Sequence, residues 1–314
     1  MYQFIDNPDL RKEKRLVWAA TRSVLENVGF IHNKNGKKSK SHWNLFLHLL
    51  SIFALLLKAT GYYRKGYGNA KTIKVSELTL QYPNLPAAFN GFRILHLSDL
   101  HIDSIPGFAT LIRDRIKDLE FDTCFLTGDY RKDISGSFRH IMKPFAILSK
   151  YIKAPYGTFA VLGNHDTFLM AQYEKESGLE LLINESVAII KDGQKILVTG
   201  TDDPFNFYTE QAMICLETKC NDFKIALVHT SELAKVAAAN NYSLYLCGHT
   251  HGGQICLKEG TPIISHQFEG KQFNHGRWNI GKMIGYTSRG VGVSGMPVRF
   301  NCAAEVTVIT LKVT

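Results

Sequence analysis

Five short apolar runs in this chain all stop in the same way, in a knot of Asp, Asn or His, most often beside a glycine. They are FRILHLSDLH (92–101), DTCFLTGD (122–129), GTFAVLGNHD (157–166), KIALVHT (224–230) and SLYLCGHTH (243–251). Runs this short and this apolar predict buried strands, and the stretches LIRDRIKDL and GSFRHIMKPFAILSKY between them carry helical spacing. Strands alternating with helices predict an α/β domain from residue 71 onward. In such sheets ligands bind beyond the carboxyl ends of the strands, so the five polar knots are expected to meet at one site.

The knots are Asp99-x-His101, Gly128-Asp129, Gly163-Asn164-His165-Asp166, His229 and Gly248-His249-Thr250-His251. Oxygen and imidazole donors with no thiolate among them suit Mn²⁺, Fe, Zn²⁺ or Mg²⁺. One-residue spacing in Asp99/His101 and His249/His251 places each pair on one side of an extended backbone. The glycines permit abrupt strand exits and close backbone approach. Taken singly, each knot has a plain structural reading: Gly-Asn-His-Asp is good turn chemistry, and His229 alone reads as a core histidine. Five in succession, each after a strand, favour the site.

The order DxH, GD, GNHD, H, GHTH resembles that of the calcineurin-like metallophosphoesterase family, over residues 71–314. The resemblance implies an α/β fold, a four-layer αββα sandwich of two mixed sheets, with two divalent metal ions at the strand ends. It assigns Asp99, His101, Asp129 and His251 to one ion and Asp129, Asn164, His229 and His249 to the other, with Asp129 bridging. It makes His165 the catalytic side chain, donating a proton to the leaving oxygen, and Asp166 the carboxylate that orients its imidazole; a helix N-cap is the structural alternative for Asp166. The implied chemistry is hydrolysis of a phosphodiester or pyrophosphate by metal-activated hydroxide, with Mn²⁺ the first choice of metal.

The closing stretch TSRGVGVSGMPVRFNCAAEVTVITL, the Tyr130-Arg131 pair and APYGTFAVLGNHD are similar to the bacterial membrane-associated branch of that family. Within it they resemble the calcineurin-like UDP-2,3-diacylglucosamine pyrophosphatases of lipid A synthesis, which release UMP. That implies a nucleotide-lipid substrate, with Arg131, Arg289, Arg299 and Asn301 as candidate phosphate contacts or else ordinary surface residues.

The first 70 residues differ in character and are expected to form a separate helical, membrane-associating segment. DNPDLRKEKRLVWAATRSVLENVGF predicts a helix capped by Asn7, opened by Pro8 and stopped by Gly29. A basic linker, NKNGKKSK, leads to WNLFLHLLSIFALLL (43–57). Fifteen helical residues reach about 22 Å against a hydrocarbon core of about 30 Å. Three readings stay open: a helix lying in one leaflet, a tilted span extended to Tyr63, and a helix buried in protein. Basic and aromatic flanks favour a membrane surface, expected to be the cytoplasmic face of the inner membrane. The formal charge of +9 calls for anionic partners; a phosphorylated lipid and a membrane surface are expected, and nucleic acid is not. Six cysteines without CxxC spacing fit free thiols. Two other functions remain in view: a membrane-anchored phosphodiesterase for soluble nucleotides or simple diesters, and a non-catalytic protein-binding module.

Overall fold

A computed structural model describes residues 1–28, 40–263 and 271–314. All five runs become strands: Arg93–Leu97, Thr123–Thr127, Thr158–Val161, Phe223–Leu227 and Leu244–Cys247. They are divided between two mixed sheets. One runs, in spatial order, Ile73–Tyr82, Ala304–Val313, Arg93–Leu97, Thr123–Thr127, Thr158–Val161, Glu180–Leu181. The other runs Tyr2–Phe4, Glu185–Lys191, Gln194–Gly200, Phe223–Leu227, Leu244–Cys247, Met283–Thr287, Gly276–Ile280.

Strand alternation sorts the apolar side chains into layers. Ile94, Phe125, Phe159 and Val161 face Val198, Ile225, Leu227 and Leu246 across the gap between the sheets. Leu95, Leu97, Leu126 and Ala160 face the other way, onto Ile112, Ile116, Phe145 and Leu148 of the outer helices Phe108–Ile116 and Met142–Ser149. Beyond the second sheet, Ala226, Val228 and Tyr245 pack on Ala212, Leu216 and Ala237. Helix, sheet, sheet, helix is the four-layer αββα sandwich that the family resemblance implies. All six cysteines are free thiols.

The amino-terminal residues are more deeply built in than a boundary at residue 70 implies. Tyr2–Phe4 is the edge strand of the second sheet, antiparallel to Glu185–Lys191. Helix α1 (Pro8–Val28) starts as expected, with Asn7 Oδ1 accepting from Leu10 N at 2.9 Å. It then lies against the domain with Trp18 and Arg22 buried. Gly29 and most of the basic linker fall outside the described residues. Helix α2 (Lys40–Ala59) carries the apolar segment and leads into α3 (Tyr62–Lys71). Among the described residues no helix is long and apolar enough to cross a membrane.

Candidate metal centre

The polar knots meet at the carboxyl ends of the five strands. Three sets of side chains bring ligand atoms within 4.8 Å of one another: Asp99, His101 and His251; His101, Asp129 and His165; Asp129, His229 and His249. Asp129 Oδ2 lies 3.6 Å from His101 Nε2 and 3.4 Å from His229 Nε2, so one carboxylate faces both groups. Asn164 Oδ1 completes the second group, 3.0 Å from His229 Nε2 and 2.9 Å from His249 Nδ1. In the first, His251 Nε2 lies 3.5 Å from Asp99 Oδ1 and 3.1 Å from His101 Nε2.

The donor set fits divalent cations on its hydrogen bonding. His101 Nδ1 donates to the Arg131 carbonyl at 2.8 Å, and His229 Nδ1 donates to the Thr127 carbonyl at 2.7 Å. A carbonyl only accepts, so each neutral ring turns a bare Nε2 lone pair toward a carboxylate. Two such electron-rich groups face each other only when a cation or a proton lies between them. A proton serves at His229: burial opposes its charge, but Asp129 and Asp99 hold its pKa up at about 10. Burial dominates at His101 and pushes it down to about 4. Burial also lifts Asp99 to about 6, whereas the neighbouring His229 and His165 outweigh burial at Asp129 and keep it well below the carboxylate range.

The glycines serve close approach, as their positions suggested. An added Cβ on Gly128 would sit 2.6 Å from Gly163 N. On Gly163 it would overlap the Asp129 carboxylate, and on Gly248 it would overlap Ser98 Oγ and Asp99 Oδ2. The backbone reading of the paired motifs is corrected. Asp99, His101, Asp129, His249 and His251 all have left-handed φ, between 34° and 70°, so none stands in extended backbone. His249 and His251 accordingly part company, one to each group.

Asp166 does not reach the His165 ring. Its carboxylate accepts from Asp129 N at 2.8 Å, Tyr130 N at 2.9 Å and Gly163 N at 2.7 Å, which ties the two ligand-bearing loops together. Burial lifts it to about 6. His165 is oriented instead by the Lys132 carbonyl, 2.5 Å from Nδ1. Arg131 is also reassigned. Its guanidinium is spent on the carbonyls of His165, Ile134 and Gly136, which makes it a brace for the loop that carries His165 rather than a phosphate contact. Arg299 is fully buried and donates to the carbonyls of Arg289, Gly290 and Gly292, with Nη2 3.4 Å from His251 Nδ1. Arg289 pairs with Glu305 at 3.2 Å, and Asn301 Nδ2 donates to the Cys256 carbonyl.

A sixth strand end escaped the sequence reading. After Gln194–Gly200 the chain continues Thr201-Asp202-Asp203, the same strand-then-polar pattern, and both carboxylates are buried. Asp203 accepts from Phe205 N and Asn206 N, and burial lifts it to about 6. Asp202 forms a buried ion pair with Arg22 of α1 and accepts from Trp18 Nε1 at 2.7 Å. Arg22 stacks over Phe207 at 3.5 Å and donates to the Asp166 carbonyl at 2.9 Å. One turn on, Glu26 accepts from Thr167 Oγ1 and Phe168 N. The amino-terminal helix thus clamps the loop that carries Asn164 and His165.

The family model described as calcineurin-like phosphoesterase matches residues 92–253, just over half of the chain. YkuE of Bacillus subtilis, named an uncharacterized metallophosphoesterase, is 30% identical over 79% of this chain and 91% of its own. The phosphodiesterase YaeI of Escherichia coli is 31% identical over 70% of this chain and 82% of its own. A Danio rerio protein named a transmembrane protein with metallophosphoesterase domain is 26% identical over 77% of this chain and 58% of its own. The chain belongs to the calcineurin-like metallophosphoesterase family, and with that family it shares a metal-dependent hydrolase domain.

Proposed function

We propose that this enzyme is a dinuclear hydrolase of a phosphodiester or pyrophosphate bond in a nucleotide-lipid, with UDP-2,3-diacylglucosamine as substrate and UMP plus 2,3-diacylglucosamine 1-phosphate as products. The observation that carries the dinuclear reading is the Asp129 carboxylate facing two histidine groups at 3.6 and 3.4 Å. Asp99, His101, Asp129 and His251 would hold one cation, and Asp129, Asn164, His229 and His249 the other. When bound, the two cations supply Lewis acidity to a water and to the phosphoryl oxygens. Mn²⁺ is the ion we expect.

The remaining chemistry belongs to the side chains. His165 Nδ1 is committed to the Lys132 carbonyl, which leaves Nε2 on the Asp129 side at 3.9 Å, where it would protonate the departing oxygen. Asp166 holds the Asp129 loop by two amide hydrogen bonds and its own loop by a third, from Gly163 N, and Arg131 and Arg22 hold the Asn164-His165 loop by its carbonyls.

The lipid part of the proposal rests on exposed apolar side chains beside the domain. Ile52, Leu55 and Leu56 lie on one face of α2, and Leu16, Val17 and Val24 are exposed on α1. An amphipathic surface of this kind, flanked by Lys58, Arg64 and Lys65, suits one leaflet of an anionic membrane, and we assign it to the cytoplasmic face of the inner membrane. Deleting residues 1–60 does not test this, because Tyr2–Phe4 and Arg22 belong to the catalytic domain. The variant Ile52→Glu/Leu55→Glu/Leu56→Glu does. It should move the protein to the soluble fraction and cut turnover of UDP-diacylglucosamine far more than turnover of bis(p-nitrophenyl) phosphate. Equal turnover of both substrates by the variant and the wild type would favour the second reading, a phosphodiesterase for soluble diesters. Absence of any Mn²⁺-dependent turnover would leave the non-catalytic module.

A further inference from the structure

Beside the metal centre lies a cavity of about 530 Å³, within the size range of small-molecule sites. It opens between the end of α3 and the start of the Ala304–Val313 strand, at the same end of the sandwich as the metal ligands. Four cationic side chains line it, Lys74, Lys258, Arg289 and Arg299, against the single carboxylate of Glu305. That carboxylate is already saturated by Ser76 Oγ, Tyr286 Oη, Arg289 N and Arg289 Nη1. The cavity therefore presents a net positive surface.

Arg299 is the wall it shares with the metal centre. One of its nitrogens lies 3.4 Å from the His251 ring, while its buried Nε has no hydrogen-bond partner. A fully buried guanidinium nitrogen without an acceptor is costly unless an acceptor arrives from outside the fold. Lys74 and Lys258, by contrast, are exposed, so their ammonium groups are free to meet an incoming oxyanion.

We propose that this cavity is a second anion subsite, which takes a phosphate group other than the one attacked at the metals. Arg289 and the unpartnered Nε of Arg299 offer donors in the lining, and the exposed Lys74 and Lys258 supply further positive charge. A substrate with two phosphates, such as a nucleoside diphosphate ester, would place the scissile phosphorus at the metal ligands and its second phosphate beyond Arg299. The inference rests on reading the Asp129-centred groups as the reaction centre.

The test uses the full-length protein loaded with Mn²⁺ and the variant Lys74→Glu/Lys258→Glu, whose exposed positions leave folding intact. Isothermal titration with inorganic phosphate should find two phosphates per chain in the wild type and one in the variant. If the reaction-centre reading fails, the wild-type count drops to one and the variant count to zero, so the two failures are distinguishable. In the kinetic arm, KM for a nucleoside diphosphate ester should rise about tenfold more than KM for bis(p-nitrophenyl) phosphate. Loss of phosphate binding with the two KM values moving together assigns the subsite to free phosphate. An unchanged phosphate count in the variant overturns the proposal.

Discussion

Replacing Arg22 by Met tests whether the amino-terminal helix sustains the loop that carries Asn164 and His165. Arg22 and Asp202 are each 1% exposed, so removing the guanidinium strands a carboxylate in the interior with only Trp18 Nε1 as its side-chain donor. Breaking a buried pair from one side costs roughly 3–5 kcal/mol, a large part of the ~5–15 kcal/mol that holds a domain together. At about 2–3 °C per kcal/mol for a chain of this size, the melting temperature should fall by about 6–15 °C. Loss of the donor to the Asp166 carbonyl should also loosen Asn164 and His165. The two effects separate in Arg22→Met/Asp202→Asn. That variant strands no charge at position 22 or 202 and keeps an acceptor for Trp18, so most of the stability should return. The loop remains unclamped, so kcat/KM on bis(p-nitrophenyl) phosphate and Mn²⁺ affinity should stay low. Thermal denaturation and metal titration on the three proteins decide it. If the double variant recovers activity along with stability, α1 is a stability element and nothing more.

Three further outcomes are expected. Asp129→Ala should lose both cations in metal analysis, because one carboxylate serves both groups; retention of one ion per chain would deny the bridge. His165→Ala should keep the metals but lose about 10²–10⁴-fold in rate, and the deficit should shrink on substrates with good leaving groups; an equal loss on good and poor leaving groups would remove His165 from the acid role. In metal-free protein the His229 pKa, about 10 against an unfolded value of 6.5, gives stability that is present below pH 6.5 and lost as pH rises through 10. Unfolding curves taken with Mn²⁺ should lose that slope, because a cation then stands where the proton stood; parallel curves with and without metal would contradict it.

How much of this was legible in the sequence depends on the range of the interaction. The strands and their polar ends could be read because periodicity and glycine punctuation are local, and the ligands inherit their positions from those ends. The second halves of the contacts were not legible. Arg131 read as a phosphate contact because an arginine in sequence carries no sign of the carbonyls that will surround it. Asp166, next to His165, was expected to serve its neighbour and instead serves amides at 129 and 130. The pairing of Arg22 with Asp202 spans 180 residues, which no local pattern encodes. The signal that was available and missed is Thr201-Asp202-Asp203, one more strand ending in carboxylates.

The five proposed ligand residues with left-handed φ put the centre in conflict with the backbone that carries it. Each such residue costs about 1–3 kcal/mol, a cost that glycine at the same position would not incur. A chain freed from the need to bind metal would therefore find, at Asp99, His101 or His251, a single substitution that relaxes the backbone while it destroys the site. Inactive relatives should be sturdier than active ones, with glycine where a ligand used to be. Competence here is a metastable trait, kept only as long as hydrolysis is under selection.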